Sequence, residues 1–297
     1  MCALNVEKGM KLKMRNMELL IIKLARKGII KLSDQKFLDI CFHYYLGRKI
    51  NWDNPKTYNE KLQWLKVHDR KDIYTTMVDK YEAKKYVAGV IGKKYIIPTL
   101  EVYDNFDDID FSKLPNQFVM KCTHDSGGLI ICTDKHKLNY KQAKKKLEKC
   151  LRVNYYNCWR EWPYKNVKPR IIIEKYMSDK KTVGINDYKF FCFNGKVKLL
   201  FIATDRTSEK EETKFDFYDE NFKHLPIKNG HPNATIPPKK PKNFEKMKEL
   251  AEMLSRDIPH LRVDFYEING KIYFGELTFS HWAGMVPFEP DEYDDLL

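Results

Sequence analysis

Lys121 stands in the apolar run Gln117–Cys122, and the chain then turns through Ser126-Gly127-Gly128 into a second apolar run, Leu129–Thr133. On two strands of a hairpin, such a lysine and such a turn can set an ammonium and backbone N–H groups against phosphate oxygens. The order differs from a P-loop, in which G-x-x-x-x-G-K-[ST] leads into a helix. It also differs from a protein kinase, whose glycine loop precedes the lysine strand. An ordinary hairpin with an edge lysine has the same sequence, so the hairpin alone does not decide for phosphate. Ile171-Ile172-Ile173 runs into Glu174-Lys175-Tyr176-Met177. This suits either a hinge whose backbone reads an adenine edge or a strand with a solvated, charged end. Asp187 and Lys189 share one face of a strand whose return partner ends at Asp205-Arg206. They offer a carboxylate for a ribose hydroxyl beside a cation for phosphate, or simply an ion pair.

Asp264, in Leu261–Phe265, and Glu276, in Phe274–Thr278, fall on neighbouring strands joined by Asn269-Gly270, a two-residue hairpin turn. Facing carboxylates repel unless a cation lies between them. Mg2+ takes one or two carboxylates together with phosphate oxygens; pairing with an arginine is the structural alternative. Arg262, Ser280 and His281 flank these strands. His281 could deprotonate an attacking amine, or pack within the Phe279–Trp282 cluster. His124, beside the glycine turn, could touch phosphate.

The elements that must position these residues can be read from pattern. Residues 1–75 read as helices: Met10–Arg26 up to the break at Gly28, a second from the N-cap Ser33-Asp34 to Gly47, and a third over Asn59–Val67. A single helix is predicted from Thr76 to Val90. Strands are predicted at residues 117–122, 129–133, 170–175, 188–193, 197–203, 214–218, 261–266 and 271–277, with helices at 140–153 and 243–255. The fold class is therefore α+β with mostly antiparallel sheets after a helical N-terminal region. Three segments are expected: 1–75 helical, 76–175 with the lysine strand and glycine loop, and 176–297 with the acidic pair.

The 297 residues, 43% hydrophobic and 13% aromatic, can fill a core, which excludes a disordered chain. No apolar run approaches the roughly 20 residues that span a bilayer, and the N-terminus lacks the pattern of a signal peptide. Seven scattered cysteines without a C-x-x-C pair argue against a zinc site or disulfide framework. The net charge of +13 suits an anionic partner. The lysines at 141, 144, 145, 146 and 149 interleave with no aromatic platform, which disfavours nucleic acid. The expected location is cytoplasmic, at the inner face of the membrane if the basic helical arm of residues 1–50 touches lipid.

The order of lysine strand, small-residue loop, Glu-Lys-aromatic hinge and paired acidic strands resembles the ATP-grasp superfamily. Asp79-Lys80, leading into Tyr81-Glu82-Ala83-Lys84, and the hinge Glu174–Met177 resemble D-alanine–D-alanine ligases. Asp187-Tyr188-Lys189 resembles a strand of glutathione synthetase and glutamate-ligase types. Over residues 35–290 the chain is similar to TupA-like ATP-grasp proteins of cell-surface polysaccharide synthesis. The likeness rests on Asn54-Pro55-Lys56-Thr57-Tyr58-Asn59-Glu60-Lys61-Leu62-Gln63-Trp64, the Asp79-Lys80 helix, Phe118–Cys122 and Gly275–Thr278.

The resemblance implies an ATP-grasp-like fold of two α+β lobes clasping ATP, with Mg2+. Lys80 and Lys121 would hold the α/β-phosphates and Ser126, Gly127 and Gly128 would cover them, with His124 near by. Glu174, Lys175, Tyr176 and Met177 would line the adenine, Asp187 the ribose, and Lys189 the γ-phosphate. Asp264 and Glu276, with Thr278 beside them, would form the metal site. Arg206 would face the transferred phosphoryl group, and Arg262 and His281, from their place beside the acidic strands, complete the candidate catalytic groups. Two departures stand out. Thr278 replaces the asparagine usual two residues after the metal glutamate, and helices replace the acceptor-binding α/β lobe of many relatives. The implied reaction is ligation of a carboxylate to an amine through an acyl phosphate, the carboxylate from a uronic acid of a surface glycan or its precursor and the amine from an amino acid. The alternatives are a glycosyltransferase holding a nucleotide-sugar at the acidic pair, a kinase, and a basic binding module.

Overall fold

The structure, a computed structural model, describes residues 2–179, 185–206 and 211–297, the first twelve of these by backbone alone. Three helices open the chain, α1 (Cys2–Arg26), α2 (Asp34–Leu46) and α3 (Tyr58–His68). Ser33 caps α2 by accepting from the Lys36 N–H, and Gly47 ends it in the left-handed region at φ 72°. A reciprocal capping box between Thr57 and Glu60 starts α3.

The single helix expected over 76–90 is two, α4 (Ile73–Val78) and α5 (Glu82–Ile91). Asp79 breaks it. Its extended backbone and its Oδ1, which accepts from the Tyr81 and Glu82 N–H groups at 2.8 and 3.2 Å, recap the chain. Lys80 is thereby freed from a helix face, and its N–H donates to the Thr123 carbonyl at 3.0 Å.

The first sheet comprises β1 (Thr99–Tyr103), β2 (Phe118–Cys122), β3 (Leu129–Cys132) and β4 (Ile171–Lys175) in the order β1-β4-β2-β3, all antiparallel. Between β3 and β4 lie α6 (Tyr140–Leu151) and the short α7 (Tyr156–Trp159). Ala143 and Leu147 of α6 cover Phe118, Met120, Ile171 and Ile173.

The second sheet holds β5 (Asp187–Phe193), β6 (Lys196–Thr204), β7 (Lys214–Asp219), the short β8 (His224–Leu225), β9 (His260–Ile268) and β10 (Lys271–Thr278), with α8 (Phe244–Leu254) between β8 and β9 and α9 (Glu292–Leu296) after β10. Its antiparallel order is β10-β9-β5-β6-β7-β8. Both faces are buried. Phe190 and Val263 point to the side packed by α5 and α8, while Phe191 and Phe201 point to the side packed by Tyr58 and Leu62 of α3. That two-sided burial explains why β5 reads as a nearly continuous apolar run rather than an alternating one. The turns Asn194-Gly195 and Asn269-Gly270 have positive φ at both residues, as the sequence suggested for two-residue hairpins.

Candidate active site

The two sheets face one another across a cleft with two adjoining cavities. The first, about 520 Å³, is lined by Val119 and Ile131 of the first sheet, by Glu174–Asp179, and by Tyr266 and Ile268 of the second sheet. Lys121 projects into it with 23% of its side chain exposed and its ammonium 2.7 Å from Glu174 Oε2. The other Glu174 oxygen pairs with Lys84 of α5. Burial works to raise the Glu174 carboxyl, yet Lys121 and Lys84 override it and hold it down at about 2. Glu174 thus aims the lysine more than it faces an adenine, while Lys175, Tyr176 and Met177 do line the cavity. Lys84, on the first turn of α5 just after Lys80, was missed by sequence reasoning although it stands in the same motif.

The glycine turn is folded back on its own strand. The Gly128 N–H donates to Asp125 Oδ2 at 2.9 Å, and a Cβ on Gly128 would meet Cys122 Sγ at 2.7 Å. The Asp125 carbonyl accepts from the Lys80 ammonium. Ser126 Oγ lies 2.9 Å from the Tyr155 hydroxyl, and a Cβ on Gly127 would meet only Asp125 Oδ2, at 4.0 Å. His124 departs from expectation. It is buried, and its Nε2 donates to the Cys150 and Val153 carbonyls at 3.2 and 3.1 Å, tying the turn to the end of α6.

On the second sheet, register brings the charged residues together. Lys189 pairs with Asp264 across β5 and β9, and Asp264 with Glu276 across β9 and β10. A bulge at Gly275 sets the second pairing, where a Cβ would press to 3.1 Å from the Asp264 carbonyl. Arg262 knits the cluster: its Nε and Nη2 donate to the two Asp264 oxygens at 2.7 and 2.8 Å, and Nη2 also reaches Glu276 at 2.9 Å and Thr278 at 3.0 Å. Lys189 sits between Asp264 and Asp187, 2.7 Å from the latter, and Arg206 pairs with the same Asp187 oxygen. Asp187, 1% exposed and outside both cavity linings, is therefore not open to a ribose. Of the two sequence readings of this strand, the ion pair is the one observed. Desolvation in the cleft works to raise the Glu276 carboxyl, but Lys189, Arg262, Lys80 and Arg206 together hold it well below the usual carboxylate range.

The second cavity, about 610 Å³, adjoins this cluster and shares Arg206 with the first. Tyr155, Trp159, Tyr164 and Trp282 form aromatic walls, with Glu161, Arg262, Glu276 and Ser280 among the polar lining. His281 is here, but not as a free base. Its Nδ1 accepts from Arg262 at 2.8 Å and its Nε2 donates to Asn229 Oδ1 at 2.8 Å, so both ring nitrogens are engaged. Burial pushes it well below the usual histidine range, and Arg262 and Lys189 add to the shift. The loop after it has three successive left-handed residues, Trp282, Ala283 and Gly284. One face of α3 holds it there. Gln63 Nε2 donates to the Ala283 and Gly284 carbonyls at 3.1 and 3.0 Å, and Lys66 Nζ to the Ala283 carbonyl at 2.7 Å. The Asn59–Gln63 motif thus helps to fix a wall of the second cavity.

Residues 60–297 match the family model described as TupA-like ATPgrasp. The chain belongs to the TupA-like ATP-grasp family. Among curated proteins nothing matches it. Solved structures with a similar fold include the D-alanine–D-alanine ligase of Helicobacter pylori, at 15% identity and TM-score 0.41 over 76% of this chain. Another is the D-alanine–D-alanine ligase of Bacillus anthracis complexed with ATP, at 15% and 0.39 over 69%. A third is the ATP-grasp ligase PsnB complexed with a minimal precursor, at 9% and 0.40 over 75%. The chain spans 63%, 54% and 60% of those three proteins, respectively. At such identities and scores they add nothing to the family match.

The TupA-like ATP-grasp family implies Mg2+, and the donor set bears on that. Among the described residues no group of three or more His, Cys, Asp or Glu could hold a metal by protein ligands alone. Mg2+ does not require one, since it takes one or two carboxylates with phosphate oxygens. Glu276, its side chain 41% exposed, opens to the cleft, whereas both oxygens of Asp264 are held by Arg262 and Lys189. Glu276 fits the ion directly, and Asp264 fits it by exchanging one cation for another. Thr278, whose hydroxyl accepts from Arg262 and lies 3.4 Å from Glu276 Oε1, orients these groups rather than offering a free ligand. Among the described residues of this TupA-like ATP-grasp chain, no helix is long and apolar enough to cross a membrane.

Proposed function

We propose that this TupA-like ATP-grasp protein is an ATP-dependent carboxylate–amine ligase. The observation that carries the reading is the meeting of the two cavities at Arg206, directly over the cluster of Lys189, Arg262 and Glu276. A nucleotide-sized, apolar-walled space on one side and an aromatic acceptor space on the other then share one charged floor. ATP lies in the first cavity, its base against Tyr176, Met177 and Ile268 and its phosphates toward Lys121 and Lys80. In this reading Lys189 and Arg206 face the γ-phosphate, released in part from Asp187. Glu276, with Asp264, holds Mg2+, which when bound neutralises charge across the phosphate oxygens.

A carboxylate does not react with an amine because its oxygen is a poor leaving group. The γ-phosphoryl group therefore moves to the substrate carboxylate, forming the C–O–P bond of an acyl phosphate and releasing ADP. The amine nitrogen then attacks the acyl carbon, the C–O bond to phosphate breaks, and an amide forms. The chain's part is positioning, water exclusion and charge neutralisation. The three-part division of the sequence, 1–75, 76–175 and 176–297, belongs to this proposal as acceptor brace, phosphate lobe and charged-floor lobe. The family resemblance supports a uronic acid of a cell-surface polysaccharide as the carboxylate and an amino acid as the amine, in the cytoplasm at the membrane face.

The test uses glucuronate- and galacturonate-bearing oligosaccharides labelled with 18O in the carboxylate, mixed with ATP, Mg2+ and a panel of amino acids. The expected result is ADP with one 18O atom carried into inorganic phosphate. UDP release from a UDP-sugar without ATP would instead make the protein a glycosyltransferase. ADP formation without label transfer would make it a kinase or an ATPase.

A further inference from the structure

Glu161 is 4% exposed and lines the second cavity, and its carboxyl group has no hydrogen bond or ion pair within the described residues. Every other buried carboxyl group there is bonded, Glu174, Asp187 and Asp264 among them. Its neighbour Arg160 turns the chain through a left-handed backbone, φ 56° and ψ 31°, uncommon for a non-glycine residue. Arg160 then runs the other way, stacked over Phe37 at 4.3 Å and bonded to the Asn157 carbonyl at 3.0 Å. The local fold thus drives one charged side chain into the helical region and leaves its neighbour unpartnered in the cavity. Its carboxyl oxygens therefore open to the cavity itself, where an entering donor supplies the missing partner.

We propose that Glu161 receives the acceptor amine in this cavity and takes its proton. The inference rests on the ligase reading and adds to it the group that binds the nucleophile. An amine arrives as R–NH3+, which complements a carboxylate, and the walls of Tyr155, Tyr164 and Trp159 suit a cation as well as the ring of an organic substrate. One proton passes from nitrogen to Glu161, giving R–NH2 and a neutral carboxylic acid. The freed lone pair forms the C–N bond, the acyl C–O bond breaks, and the second nitrogen proton leaves with phosphate as hydrogen phosphate.

The surroundings suit this exchange. Burial raises the Glu161 carboxyl to about 7, Lys66 on α3 and Arg262 on β9 oppose the rise, and Glu276 on β10 adds to it. The phenols of Tyr155 and Tyr164 and the thiol of Cys158 also feel its charge. A carboxyl group poised there accepts a proton near neutrality.

The experiment measures binding of each of the twenty amino acids to the full chain and to Glu161→Gln by calorimetry, with Mg2+ and a non-hydrolysable ATP analogue present. The expected result is at least one amino acid that binds the parent protein and binds the variant at least tenfold more weakly, with nucleotide affinity unchanged. Equal amine binding by both proteins would overturn the role of Glu161. Nucleotide binding without any amine binding would overturn the assignment of this cavity while leaving the ATP site standing, and no nucleotide binding would remove the reading beneath both. A second readout is stability against pH. Because the folded-state pKa is raised, the parent gains stability as pH falls from about 7 toward 4.5, and Glu161→Gln lacks that gain. An unchanged profile in the variant would contradict an ionisable, unpartnered Glu161.

Discussion

Lys121→Ala lowers ATP turnover by about 10²–10³-fold, the usual loss when a preorganised charge or donor is removed from a water-excluded site. The lysine stands on the first sheet, aimed into the first cavity by Glu174, itself fixed from behind by Lys84. Its removal also changes the acid limb of stability. The Glu174 carboxyl, held at about 2 against an ordinary value of 4.5, contributes stability that is present above about 4.5 and lost as pH falls toward 2. With only Lys84 left as partner the carboxyl is held down less, so this contribution is smaller and its loss is complete at a higher pH. Steady-state ADP release and thermal midpoints between pH 6 and 3 check the two effects separately. Turnover within about threefold of the parent would remove Lys121 from the phosphate site.

The second large effect is on folding. Arg262 is 7% exposed and donates to Asp264, Glu276, Thr278 and His281 at once. Arg262→Met leaves Asp264 buried with Lys189 alone, and breaking a buried ion pair from one side costs about 3–5 kcal/mol. Burial already raises the Asp264 carboxyl, while Arg262 and Lys189 oppose the rise. Without the arginine it rises further, so the variant recovers part of its stability as pH falls and the carboxyl group is protonated. Urea unfolding at pH 8 and pH 5 should show the larger deficit at pH 8. A loss below about 1 kcal/mol at both would mean that the cluster is not held as described.

Much of this site was legible because its signals are local. The lysine hairpin, the glycine turn, the two Asn-Gly turns and the cap of α2 are each set by neighbours within a few residues, and all are found in the fold. The facing of Asp264 and Glu276 was readable from hairpin register, although the Gly275 bulge that completes it has no clear sequence mark.

What pattern could not supply was partner choice across the chain. Asp187 could have faced a ribose or paired with cations, and only the fold brings Arg206 to it. His281 and His124 both carried promise as isolated residues, yet both ring nitrogens of His281 are committed to Arg262 and Asn229, and the Nε2 of His124 to the end of α6. Glu161 drew no attention because Trp159-Arg160-Glu161-Trp162 belongs to no periodic element and carries no motif. Gln63 and Lys66 carry no sign of their task in the helical pattern of residues 59–67, and it appears only when the 281–285 loop folds against α3.

The most direct test of the central claim is nucleotide binding by the parent protein, read as a thermal shift with ATP or with UDP-sugars, each with and without Mg2+. A ligand at 100 times its Kd adds about 2.7 kcal/mol, enough to move the midpoint visibly. The account predicts stabilisation by ATP with Mg2+ and none by UDP-sugars. Stabilisation by a UDP-sugar alone would contradict it.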